Sequence, residues 1–183
     1  MTVRIVHGFN VRDNGKGTTD KLVPYFRGAG QETKEYDYGW RWLLGVRFCN
    51  PETAALIAKE TQPGDIGVGH SNGGLILKQA ADLGAPFKGL VLIHPALEND
   101  CAFAPQLEWI HVYHGEPDQA VRAAQLLDIL PWNWFAKHPW GDMGAVGYSG
   151  TDARVTNYDD KMSHSGNFKD IETWGPLIVG RAT

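Results

Sequence analysis

Cysteine is scarce in this chain of 183 residues: Cys49 and Cys101 are the only two, far apart and without partner cysteines or metal-ligand spacing around either. That scarcity excludes a disulfide-stapled scaffold, and two reduced thiols with no metal ion and no cofactor are expected. Long hydrophobic runs are missing as well. Nothing approaches the roughly 20 apolar residues that span a bilayer. The opening stretch from Met1 to Phe9 lacks the charged region and apolar core of a secretory signal, so a cytoplasmic location without a membrane span is expected. Nor is there an excess of positive charge. Lys and Arg number 17 against 21 Asp and Glu, a net charge of -4, which removes the electrostatic footprint of a nucleic-acid binder. Repeats, low-complexity tracts and linker-like stretches are absent, so residues 1–183 are expected to form one domain around one core.

What the chain does have is 43% hydrophobic residues and 22 glycines, arranged as short apolar runs that alternate with stretches of helical periodicity. The runs at 3–6, 33–38, 65–69, 89–93, 109–113 and 154–158 predict strands. Helices are predicted over 18–26, 51–60, 73–83, 120–130 and 167–178, the last broken or bent near Gly175-Pro176 because proline removes a helical donor. Short apolar strands between helices predict a mostly parallel sheet with helices on both faces, a three-layer α/β sandwich. Residues 131–150, rich in Trp, Pro and Gly, read as a long surface excursion.

One segment carries chemistry. Residues 69–74 read Gly-His-Ser-Asn-Gly-Gly, between a predicted strand and a predicted helix. A serine on so sharp a turn brings the residues two before and two after it together with no room for a Cβ, and Gly69 and Gly73 meet that demand. The same turn aims the first amides of the helix at the serine side chain. Ser71 is therefore the candidate nucleophile, and the backbone N–H of Asn72 a candidate oxyanion donor reinforced by the helix dipole.

This elbow, together with His7-Gly8-Phe9-Asn10 closing the first strand, resembles the α/β-hydrolase superfamily. The resemblance implies that the backbone N–H of Phe9 is the second oxyanion donor, and that acid and histidine follow the nucleophile in that order. Gly115-Glu116-Pro117-Asp118 looks like the family's strand-end Gly-x-x-Asp, which makes Asp118 the best-fitting acid and Glu116 its nearest rival. His164 follows the last predicted strand and precedes the last helix, where the family places its base; a structural His164, with His138 or His94 taking the proton, is the competing reading. Family members usually carry extra strands before the His-Gly strand and often a helical cap. Their lack here implies a reduced sheet of about six strands and an open, minimally capped site.

The resemblance thus implies a serine hydrolase, most simply a carboxylic-ester hydrolase of esterase or lipase type acting on a small-molecule or acylated substrate. Amidases, thioesterases and acyltransferases use the same triad. A non-catalytic binding protein on this fold would be marked by a lost nucleophile or histidine, and both are present. Trp132, Trp134 and Trp140 lie between the acid and the histidine, where they either wall the substrate pocket or complete the core.

Overall fold

Runs of about five residues, mostly aliphatic or β-branched in the interior and more polar at the edges, are too short to hold a helix and form strands instead. In the computed structural model, which describes residues 1–9, 12–39, 43–115 and 140–183 (43–48 as backbone only), these are β1 (Thr2–Val6), β2 (Glu32–Tyr36), β3 (Ile66–His70), β4 (Gly89–Ile93), β5 (Trp109–His114) and β6 (Val155–Asp159). They make one six-stranded sheet in the order β2-β1-β3-β4-β5-β6, every neighbouring pair parallel. The polar β2 sits at one edge, where its charges discourage pairing with another chain.

A 3-10 turn (Thr19–Leu22) leads into α1 (Val23–Gly28); α2 (Leu43–Glu60), α3 (Asn72–Asp82), α4 (Met143–Val146), α5 (Gly166–Lys169) and α6 (Ile171–Ala182) follow. Alternation along the strands sorts the core into two clusters. Leu90, Leu92, Ile110 and Val112 face α2 and α3, meeting Ala54, Ile57, Leu75, Ile76 and Leu77. Val3, Ile5, Ile66, Val68, Val91 and Ile93 face the opposite way, onto Phe26 of α1 and Ile178 and Val179 of α6. The result is a three-layer α/β/α sandwich. Among the described residues, no helix is long and apolar enough to cross a membrane.

From β1 the chain moves outward one way to β2, and from β3 the other way to β6, so the order reverses between β1 and β3. The carboxyl ends at such a reversal are the usual place for a ligand in open α/β sheets. Val6 pairs with Gly69, which sets His7-Gly8-Phe9 beside His70-Ser71 at that end of the sheet.

Three details depart from the sequence pattern. Helix α2 starts at Leu43, well before Pro51, because burial of Ala54 and Ile57 offsets the one helical bond that proline lacks. The break in the C-terminal helix falls at Asp170 rather than at Gly175-Pro176. Asp170 has φ -111 and ψ 54 and its carbonyl caps α6 by accepting from Thr173 and Trp174, whereas Gly175 lies within α6 against the Tyr25 ring. The described end of the supposed excursion is partly interior: Trp140, Met143 and Ala145 are buried, while Val146 is exposed. Glycines allow that approach, since a Cβ on Gly141 would fall 2.2 Å from the Glu98 nitrogen and one on Gly144 2.6 Å from the His94 carbonyl carbon. The predicted helix at 120–130 lies outside the described residues.

Candidate active site

Ser71 joins β3 to α3 with φ 53 and ψ -121, a backbone conformation that a residue with a Cβ adopts only under strain of about 1–3 kcal/mol. Two glycines make the turn possible. A Cβ on Gly69 would fall 2.7 Å from the Gly73 carbonyl carbon, and one on Gly73 would fall 2.2 Å from the Val6 oxygen. Ser71 is the N-cap residue of α3, yet its hydroxyl makes no capping hydrogen bond. A serine in that position usually spends its side chain on the helix end; here the strained backbone turns it away.

The β1 end is pressed against this turn. A Cβ on Gly8 would lie 3.2 Å from the Ser71 Cβ and 2.8 Å from His70 Nδ1, so only glycine lets the segment carrying Phe9 come so close. Beneath it, the Asn72 side chain is saturated. Its Nδ2 donates to the Tyr38 hydroxyl (3.2 Å) and to Asn50 Oδ1 (3.0 Å), while its Oδ1 accepts from Asn50 Nδ2 (2.8 Å) and from the Trp140 indole (3.1 Å). Tyr38 in turn donates to the His7 carbonyl at 3.2 Å. Burial holds this phenol well above its usual range, so it remains a donor at any physiological pH.

Of the candidate site residues, the structure therefore gathers Ser71, Asn72 and the Phe9 segment at one point. Trp140 is buried there too, with its ring 5.4 Å from Phe9. The loop after β6 approaches from the other side: His70 Nε2 lies 2.8 Å from the His164 carbonyl, and the two rings are 4.7 Å apart. Asp118, its rival Glu116, Trp132, Trp134 and His138 lie outside the described residues. Cys101 is no competing nucleophile, since burial pushes its thiol up to about 11.

Sequence reasoning did not find Tyr38 or Asn50, which no motif marks, nor the Trp140–Asn72 hydrogen bond. It also missed a buried cluster behind His164, formed by His94, Asp160 and Asn167.

No protein-family model matches the chain, and no curated protein matches its sequence. Solved structures do match in fold. An esterase from Pyrococcus furiosus superposes with a TM-score of 0.62 at 10% identity, over 98% of this chain and 79% of that one. The chain has the α/β-hydrolase fold. Mouse alpha/beta hydrolase domain-containing protein 10 superposes with a TM-score of 0.61 at 12% identity, over 100% of this chain and 90% of that one. An extracellular alpha/beta-hydrolase from a Paenibacillus species gives 0.56 at 11%, over 100% and 98%. Among the described residues the α/β-hydrolase fold comprises six parallel strands, and the β4–β5 connection carries no helix, so no cap arises from it.

Proposed function

We propose that the chain is a serine hydrolase, a carboxylic-ester hydrolase working through an acyl-enzyme on Ser71, with His164 as base and Asp118 as acid. The observation that carries this reading is Ser71 itself: a positive-φ serine at a strand-to-helix turn, with its hydroxyl not used to cap the helix. The esterase among its structural neighbours supports the choice of ester chemistry.

The Ser71 oxygen bonds to the acyl carbon while its proton passes to the His164 imidazole, which Asp118 orients and whose cation it stabilises. The backbone N–H groups of Phe9 and Asn72 hold the resulting oxyanion, each donor contributing about 10²–10³ in rate. Collapse expels the alcohol, which takes the proton from His164. Water then adds to the acyl carbon by the same route, and the carboxylic acid leaves as Ser71 recovers its proton.

A fluorophosphonate probe tests this directly. The wild type should label, Ser71→Ala should not, and His164→Ala should label far more slowly. An unlabelled wild type, or a Ser71→Ala variant that labels equally, ends the proposal. For the acid, Asp118→Asn should reduce ester turnover sharply and Glu116→Gln should not; the reverse result moves the role to Glu116.

A further inference from the structure

His94 stands out among the described histidines. It directly follows β4 with φ 44, it is fully buried, and the ester mechanism gives it no part. A non-glycine residue held in the left-handed region costs about 1 kcal/mol or more and persists only where its surroundings demand it.

Those surroundings are specific. His94 Nε2 lies 3.1 Å from Asp160 Oδ2 and 3.2 Å from Asn167 Oδ1. Asn167 Nδ2 donates to the same Asp160 oxygen at 2.8 Å, which fixes the orientation of the amide. Nε2 therefore faces two acceptors and must carry a proton. Asp160 Oδ1 accepts from the Met162 N–H at 2.9 Å, so the buried carboxylate is bonded through both oxygens. Asp160 and Asn167 are the two ends of the segment that bears His164. Their mutual bond closes that segment into a loop, His94 ties the loop to the sheet, and His70 grips the His164 carbonyl.

The geometry needs one further concession. His94 follows β4 and Asp160 follows β6, with β5 between them. Gly115 follows β5, and a Cβ there would fall 2.5 Å from the Met162 oxygen and 2.9 Å from Asp160 Oδ1. Only glycine lets the loop cross over β5 to reach His94.

We propose that His94, acting through Asp160 and Asn167, is a positioning residue that holds the loop carrying His164 in register with Ser71. The inference rests on His164 being the base. An imidazole displaced by as little as about 1 Å loses much of its effect as a base, so the loop anchor should govern the chemical step rather than substrate binding.

The test compares His94→Phe, which removes the donor, with His94→Gln, whose amide nitrogen reaches the place of Nε2. The readouts are the second-order rate of Ser71 labelling by a fluorophosphonate and kcat and KM on p-nitrophenyl butyrate. His94→Phe should label at least tenfold more slowly and lose kcat with KM little changed, and His94→Gln should recover most of both rates. A folded His94→Phe that labels at the wild-type rate overturns the inference, as does His94→Gln failing alongside it. If His94→Phe does not fold, Asn167→Ala decides: a tenfold loss in labelling rate supports the loop anchor, and an unchanged rate overturns it. His164→Ala separates the two ideas. If it labels normally, the base assignment falls and takes this inference with it; if it is inert while His94→Phe is unaffected, only the positioning role falls.

Discussion

The Tyr38 hydroxyl joins two segments that come from different parts of the chain, accepting from the Asn72 side-chain Nδ2 at the start of α3 and donating to the His7 carbonyl just after β1. Those are the segments that carry the two candidate oxyanion amides, so one phenol sets their spacing. Tyr38→Phe keeps the ring stacked on His7 but removes both bonds. We expect kcat on p-nitrophenyl butyrate to fall about tenfold, equivalent to roughly 1.4 kcal/mol of lost transition-state stabilisation, with KM nearly constant. A variant with wild-type kcat would show that the two segments hold their spacing without it.

Glycines that look alike in the sequence should answer differently to alanine. Gly73→Ala drives a methyl into the backbone oxygens of Val6 and His7, at 2.2 and 2.6 Å, and neither can move without breaking β1. It should give no folded protein, or one that no longer labels. Gly180 lies inside α6 with nothing within 4 Å of a new Cβ. Gly180→Ala should therefore raise stability by about 0.5–1 kcal/mol through helix propensity alone. Thermal melting of both variants decides the contrast.

At the opposite end of the sheet, Arg4 is buried against Asp65, with Nε 2.9 Å and Nη2 2.8 Å from the same carboxylate oxygen. Asp65 also accepts from the Thr2 and Gln62 amides. Removing one partner of a buried pair strands the other charge, so Asp65→Ala should cost about 3–5 kcal/mol. Urea unfolding would register this, and a loss under about 1 kcal/mol would mean that Glu60 and Tyr36 suffice to hold Arg4.

Stability should fall with acidification from neutral pH. Burial, assisted by Arg181, lowers the pKa of His111 from its usual 6.5, and burial lowers that of His114 against the opposing charges of Asp159 and Asp160. Both are neutral in either state well above 6.5 and add no slope there. Below it, the unfolded chain takes up protons that the folded chain resists, so stability present above that pH is lost as pH falls. Melting temperatures between pH 7.5 and 5.5 should decline, less steeply for His111→Gln; an unchanged slope in that variant removes His111 from the explanation.

Much of the fold was legible because its elements are locally determined. Gly89–Ile93 is a strand of five buried residues whose sequence permits little else, and Gly-His-Ser-Asn-Gly announces a turn that only its glycines can make. Elements decided by distant contacts were not legible. The start of α2 ahead of Pro51 and the seat of Trp140 each depend on partners far away in sequence, such as Asn72 for the Trp140 indole.

The candidate site divides in the same way. The sequence by itself determined the sharp Ser71 turn and its order relative to the His-Gly strand end, because backbone sterics at Gly69, Gly73 and Ser71 are a local matter. Only the tertiary structure decided which of the described histidines meet. Parallel register brings the ends of β3, β4 and β6 to one edge of the sheet, and Gly115 leaves room for the last loop to cross. Packing then sets His70, His94 and His164 side by side, a proximity that no spacing along the chain encodes.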